Sequence, residues 1–286
     1  MTDLLKRLLS VILTLPLLIL LISCARSGEI KETSGETDVV WTPIDETDEA
    51  TSDVTESGSD DETINEQSYI QEGDTAPIAL MYHLVLDEPY SALEDLFVRP
   101  SELRGHIEAL MEKGYRFIFA DEYKYYDDKT VIMSFDDGYL DNYTEVFPII
   151  KEYGVKITIF LISNYIGCPE YMTEDMIKEM ASSGLVSFQS HTATHPDLTT
   201  ITPDAMRREF ETSNAAIEAL TGKKVSALCY PAGAFDQTVA SVAAEYYRCA
   251  YTTVNKASTE GYPINELPRL RVHRGFEKEA FYASIP

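Results

Sequence analysis

The chain has 286 residues, 44% of them hydrophobic and 10% aromatic, which suffices for one sizeable core once non-globular ends are set aside. Its net charge of −25 excludes nucleic acid as a partner class, because phosphate binding needs a basic surface that this composition lacks. The acid is unevenly spread: Glu29 to Asp74 carries 16 Asp or Glu against the single Lys31, a net of −15.

At the amino end, Lys6 and Arg7 precede an apolar run from Leu8 to Ile22 that Pro16 interrupts and that is too short to span a bilayer comfortably. It reads as an export signal. The "LISC" of Leu21 to Cys24 resembles the lipobox of bacterial lipoproteins, where cleavage leaves the cysteine as a lipidated terminus. That resemblance implies a signal peptide over 1–23, a membrane anchor at Cys24, and residence on the outer face of the cytoplasmic membrane. The following stretch, 24–75, is poor in apolar residues and has no period, which predicts a disordered, self-repelling tether. Beyond it only Cys168, Cys229 and Cys249 remain, so at most one bridge can form, and none has metal-site spacing. Cys229, inside "VSALCY", reads as a small buried hydrophobe.

Residues 76–286 read as the globular domain. Short apolar, β-branched runs predict strands over 78–82, 115–119, 130–135, 156–162, 185–190, 225–230 and 249–253. Between them, Leu103, Ile107, Leu110 and Met111 share a helical face behind Ser101 as N-cap. Val146, Ile149, Ile150 and Tyr153 share another, which ends at Gly154. A third helix begins at Thr202 as cap with Pro203 in its first turn. His106 falls among polar helical positions and reads as surface. The alternation predicts an α/β fold, a distorted (β/α) barrel of about seven parallel strands buried on both faces.

In such folds chemistry gathers at the carboxyl ends of the strands, and there the unusual residues lie. Asp136 and Asp137 end one strand in "SFDDGY", His191 and His195 follow another in "SHTATHPDL", Tyr230 closes a third and His83 ends the first. Adjacent strand residues face opposite ways, so the two aspartates can share a centre only if the backbone turns there, which Gly138 permits. Two imidazoles and a carboxylate make a facial set with open positions, as a catalytic divalent ion requires.

"SFDDG", "HTATH" and "YPAG", in that order at strand ends, resemble the motifs of the polysaccharide deacetylase family, the NodB-homology or carbohydrate esterase family 4 domain, over about Pro77 to Phe276. The "MYH" of Met81 to His83 further resembles the branch that deacetylates poly-N-acetylglucosamine. The resemblance implies a metal on Asp137, His191 and His195, zinc favoured with cobalt or nickel as alternatives, and Asp136 as the base. It also implies the Tyr230 backbone N–H as an oxyanion donor and His83 as the acid, His83 fitting equally a hydrogen-bonded strand end. The substrate implied is an extracellular N-acetylated polysaccharide. Peptidoglycan, chitin and O-acetyl xylan are alternatives, as is a glycan-binding lipoprotein without turnover.

Two departures stand out. Ala227, Leu228 and Cys229 occupy the place where many members carry an arginine before the third motif, and no "RDxxDW" element follows. Arg269 and Arg271 in "LPRLRVH" are candidates to orient the base instead, and His273 is a looser match to a late acid. Tyr123 to Tyr126, "YKYY", could stack on sugar rings or simply cover a barrel edge.

Overall fold

Each apolar run becomes a strand whose side chains alternate between two buried faces, and the register of those strands decides where charged residues emerge. The computed structural model describes residues 73–88 and 96–286. Its strands are β1 (Ile78–Tyr82), β2 (Leu84–Val85), β3 (Phe97–Val98), β4 (Arg116–Ile118), β5 (Thr130–Asp137), β6 (Ile157–Leu161), β7 (Val186–Ser190), β8 (Ala227–Cys229), β9 (Cys249–Tyr251) and β10 (Leu270–Arg271). Its helices are α1 (Pro100–Glu112), α2 (Phe147–Tyr153), α3 (Glu174–Ser182), α4 (Pro203–Thr221), α5 (Gln237–Ala243) and α6 (Lys278–Ser284).

Seven parallel strands run in the order β10-β1-β5-β6-β7-β8-β9. β4 pairs with the first half of β5 and β6 with its second half, so both share one edge of the longest strand. The sheet curls. Leu267 pairs with Tyr251 beside β9, and three residues later Leu270 pairs with Leu80 of β1, so one short segment links both edges of the curl. β2 and β3 form a separate parallel pair.

Two cores follow from strand alternation. Outside the curl, Leu80, Val131, Met133, Phe135, Ile159 and Phe188 meet the apolar stripes of the helices, for example Leu103 and Ile107 of α1 and Phe210 and Ile217 of α4. Each such side chain contributes on the order of 1.5–3 kcal/mol by leaving water. Inside the curl, Ala79, Ile132, Phe160, Ala227, Cys229 and Tyr251 fill a smaller core. Asp136, two residues after the buried Ser134 and four after Ile132, continues this inner column to the carboxyl end of β5.

Local signals set the helix ends. Thr202 accepts from the Ala205 N–H and Pro203 opens α4, while Gly154 closes α2 in the left-handed region at φ 67. α1 begins two residues earlier than Ser101 as N-cap would place it: Arg99 is the N-cap, its N–H donating to Glu102 Oε2 at 2.7 Å. Met111 is 50% exposed and does not join the α1 core face. His106, expected at the surface, is fully buried, because α6 packs across α1 and brings the Phe281 ring within 4.2 Å of the imidazole. No disulfide joins any two of Cys168, Cys229 and Cys249.

The export signal, Cys24 and the acidic stretch up to residue 72 lie outside the described residues. Among the described residues no helix is long and apolar enough to cross a membrane.

Candidate metal and catalytic site

The turn that unites the two aspartates is made by Asp137 itself. Its φ is 74, and Gly138 follows at φ 83. A Cβ on Gly138 would sit 2.5 Å from Leu161 Cδ2 at a φ that side chains rarely adopt, so any other residue would displace Leu161 and strain the turn. Thr192, His195 and Ala232 also adopt positive φ, at 68, 59 and 53. Four left-handed non-glycine residues thus sit in the turns after β5, β7 and β8, where surrounding bonds must hold the strain.

These turns bring the expected ligands together. Asp137 Oδ1 lies 3.4 Å from His191 Nε2 and 3.9 Å from His195 Nε2. Three donors about 2.0–2.1 Å from one ion at tetrahedral angles would be about 3.3 Å apart, so the set fits a divalent cation. His191 Nδ1 lies 2.7 Å from the Cys229 carbonyl, to which it donates, leaving Nε2 as the ligand atom. The loop between the histidines is clamped from α4: Glu209 Oε2 accepts from the N–H groups of Ala193 at 3.0 Å and Thr194 at 2.8 Å, and Oε1 accepts from Thr194 Oγ1 at 2.8 Å. The Thr192 hydroxyl accepts from the His195 N–H at 3.0 Å.

Asp136 is buried beside this set and faces Arg269. The guanidinium donates to Asp136 Oδ1 at 2.7 Å and to Oδ2 at 2.8 Å. Its other three N–H groups go to Thr252 O at 3.1 Å, Ser134 Oγ at 2.9 Å and Cys229 Sγ at 3.0 Å. All five donors of a fully buried arginine are thereby used. Burial alone would raise the Asp136 pKa, but the charge and hydrogen bonds of Arg269 hold it well below the usual carboxylate range. Cys229, read from sequence as a plain hydrophobe, lines this pocket with its thiol 3.6 Å from Asp136 Oδ2.

His83 belongs to the same group: its Nε2 is 3.8 Å from Asp136 Oδ2. Burial lowers its pKa, with the two carboxylates opposing. The turn that carries it is fixed from the far side, since Asn142 Nδ2 donates to the His83 carbonyl at 3.2 Å and Asp141 Oδ2 accepts from the Val85 N–H at 2.5 Å.

Other expected residues fall elsewhere. The Tyr230 N–H donates to Tyr251 O at 3.0 Å in the β8–β9 ladder and its hydroxyl donates to Asn265 O at 2.9 Å, so neither donor is free for an oxyanion. His273 is exposed and stacks on Phe276 rather than on the Asp136 group. Arg271 makes no ion pair with a described residue; its N–H donates to Asn255 Oδ1 at 2.9 Å. Tyr123 is buried, its hydroxyl donating to Thr259 at 3.1 Å, and Tyr126 pairs with Thr75 before β1, at the opposite end of the sheet from the aspartates. The "YKYY" stretch therefore covers the sheet's other end.

A family model described as polysaccharide deacetylase matches residues 124–250. A protein of Bacillus subtilis (strain 168) named as a polysaccharide deacetylase is 32% identical over 214 residues, covering 72% of this chain and 75% of its own. The peptidoglycan-N-acetylmuramic acid deacetylase of the same strain is 29% identical over 54% of this chain and 56% of its own. The poly-β-1,6-N-acetyl-D-glucosamine N-deacetylase of Staphylococcus epidermidis is 24% identical over 63% of this chain and 69% of its own. Among solved structures, a polysaccharide deacetylase from Bacillus cereus superposes with a TM-score of 0.68 at 30% identity, covering 74% of this chain and 70% of that one.

Proposed function

This chain belongs to the polysaccharide deacetylase family, and from that premise we propose that it removes N-acetyl groups from the N-acetylglucosamine units of an extracellular poly-β-1,6-N-acetylglucosamine. The observation that carries a hydrolytic reading is the convergence of Asp136, Asp137, His191 and His195, with Asp136 gripped by Arg269. The choice of polymer rests on the likeness to the staphylococcal enzyme and on His83, at the end of "MYH", lying beside Asp136. The peptidoglycan enzyme of Bacillus subtilis supports a second reading, deacetylation of a wall glycan.

Asp137, His191 and His195 would hold a divalent ion, zinc in our reading with cobalt or nickel as alternatives. When bound, it supplies a Lewis acid for the acetamide oxygen and lowers the pKa of a water. Asp136 then accepts the proton of the attacking water. Arg269 keeps that carboxylate ionised and fixes its direction, at some cost in basicity, so the proton should be held only briefly. His83, 3.8 Å away, is placed to take up the proton that Asp136 accepts and pass it to the departing amine. The products are acetate and a glucosamine unit that gains positive charge. We also propose, from "LISC" alone, a lipid anchor at Cys24 and action at the outer face of the membrane.

The test is acetate release from a β-1,6-linked N-acetylglucosamine pentamer with added zinc, beside Asp136→Asn. Release by the wild type alone, with equal metal content in both, is expected. Absence of release from any glucosamine polymer with zinc, cobalt or nickel would overturn the reading, and release confined to peptidoglycan fragments would favour the second.

A further inference from the structure

Residues 163–171 form a loop tied to both ligand-bearing turns. At one end, the N–H groups of Ser163 and Asn164 donate to the carbonyls of Thr192 at 3.2 Å and Ala193 at 3.0 Å, inside the turn between His191 and His195. At the other end, the Leu140 N–H donates to Glu170 O at 2.8 Å and the Met172 N–H to Gly138 O at 3.2 Å, so that Tyr139 and Tyr171 pair as an antiparallel bridge. Tyr139 itself follows the Asp137–Gly138 turn directly.

The loop delivers aromatic rings to this border. Tyr171 stacks on Tyr139 with centroids 5.1 Å apart and planes 25° apart, and Tyr165 meets Tyr171 edge-on at 5.0 Å and 60°. All three rings are half-buried. Glu170, immediately before Tyr171, is held at φ 70, in the left-handed region that is unfavourable for a residue with a side chain. Anchoring the loop alone would call for buried aliphatic residues. Here a strained residue instead precedes a tyrosine that packs on its partner, and all three tyrosines keep part of their surface in solvent. Tyr139 lies two residues after Asp137, and the loop that carries Tyr165 and Tyr171 is bonded to the turn between His191 and His195, which places the aromatic row beside the centre.

An open face of stacked phenols beside a hydrolytic centre matches the C–H face of a pyranose, and rings already packed on one another lose little freedom when a ligand covers them. We propose that Tyr139, Tyr165 and Tyr171 form a wall on which a hexosamine ring adjacent to the one being deacetylated stacks. This wall makes the enzyme prefer oligomers over single sugars. The proposal rests on the deacetylase reading for the identity of the ligand. Tyr139 and Tyr171 keep the wall in place, and Tyr165 gives it reach along the polymer.

The experiment is a calorimetric titration of the full chain, stripped of metal by a chelator so that nothing turns over, with the β-1,6-linked N-acetylglucosamine pentamer, its β-1,4-linked counterpart and the free monosaccharide. Tyr165→Ala and Tyr171→Leu should each weaken pentamer binding about tenfold, with Tyr165→Phe and Tyr171→Phe near wild type. Monosaccharide binding should be equally weak in all forms. Tyr165 lies outside the antiparallel bridge, so Tyr165→Ala keeps the test decisive if Tyr171→Leu fails to fold. Unchanged pentamer affinity in folded Tyr165→Ala, or no binding of either pentamer by the wild type, overturns the wall. Acetate release by the zinc-loaded wild type is read in parallel. Release together with tyrosine-independent binding rejects the wall alone, whereas tyrosine-dependent binding without release supports the wall and rejects the deacetylase reading.

Discussion

Arg269→Met should be among the most damaging single changes in the domain, and the reason lies in what it leaves behind. The arginine is 0% and Asp136 2% exposed, and the guanidinium meets five acceptors, so its loss strands an ionised carboxylate in the inner core. Breaking one partner of a buried pair costs about 3–5 kcal/mol, whereas replacing both with neutral groups costs far less. Asp136→Asn with Arg269→Met should therefore recover at least about 2 kcal/mol relative to Arg269→Met alone. In urea, with a slope of about 2 kcal/mol/M, the single variant should unfold about 2 M earlier than wild type at pH 7. The pH dependence has opposite signs in the two proteins. In the wild type the Asp136 pKa is held below its unfolded value, so its contribution is present above about pH 3.9 and lost as pH falls through the folded pKa. Without Arg269, burial is opposed only by the weaker pull of His83 and His191 and raises the pKa, so the variant should gain stability as pH is lowered from 7 towards 4. A single variant within about 1 kcal/mol of wild type at pH 7, or a double variant no more stable than the single, would refute the account.

Two further outcomes follow from packing around the site. Glu209→Ala removes the clamp on the loop between His191 and His195, so zinc affinity measured by competition with a chelator should fall about 10–100-fold while the urea midpoint moves little; unchanged affinity would show that the loop holds itself. His106, buried against Tyr82 and Phe281, has its pKa lowered to about 4, chiefly by burial, so neutral imidazole stabilises the fold above about pH 6.5 and that contribution is lost as pH falls towards 4. Between pH 7 and 5 this group should cost the wild type about 2 kcal/mol in urea unfolding, and His106→Gln should be flatter by that amount; equal pH slopes would disprove it.

The parts of the fold that were legible in the sequence are those fixed by near neighbours. The strands over 78–82, 130–135 and 185–190 were visible as short runs rich in apolar and β-branched residues, and α2 and α4 because Gly154 and Thr202-Pro203 mark their ends. The need for a turn at Asp136–Asp137 was visible from strand alternation, although the residue that turns is Asp137 as well as Gly138. Arg269 could be proposed as an orienting cation because the usual arginine position was vacant, and the buried bidentate pair explains how a residue 133 positions from Asp136 does that work.

What was not legible depends on which element packs over which. His106 looks like a surface residue between Gly105 and Glu108 until α6, 170 positions away, covers it. Glu209 is one of many acids on a helix until its oxygens meet the N–H groups of Ala193 and Thr194. The Tyr230 N–H is a reasonable oxyanion donor until β9 pairs with β8 and takes it. The same holds for the tyrosines: "YKYY" drew the eye by its density, yet it lies at the wrong end of the sheet, while Tyr139, Tyr165 and Tyr171, from two segments, are gathered beside a left-handed Glu170. Motif residues reveal themselves by type and spacing because the chemistry restricts them. The groups that hold them in place are ordinary in type and become specific only through contacts made across the fold, so a carboxylate such as Glu209 gains its role from the strained loop whose N–H groups donate to it.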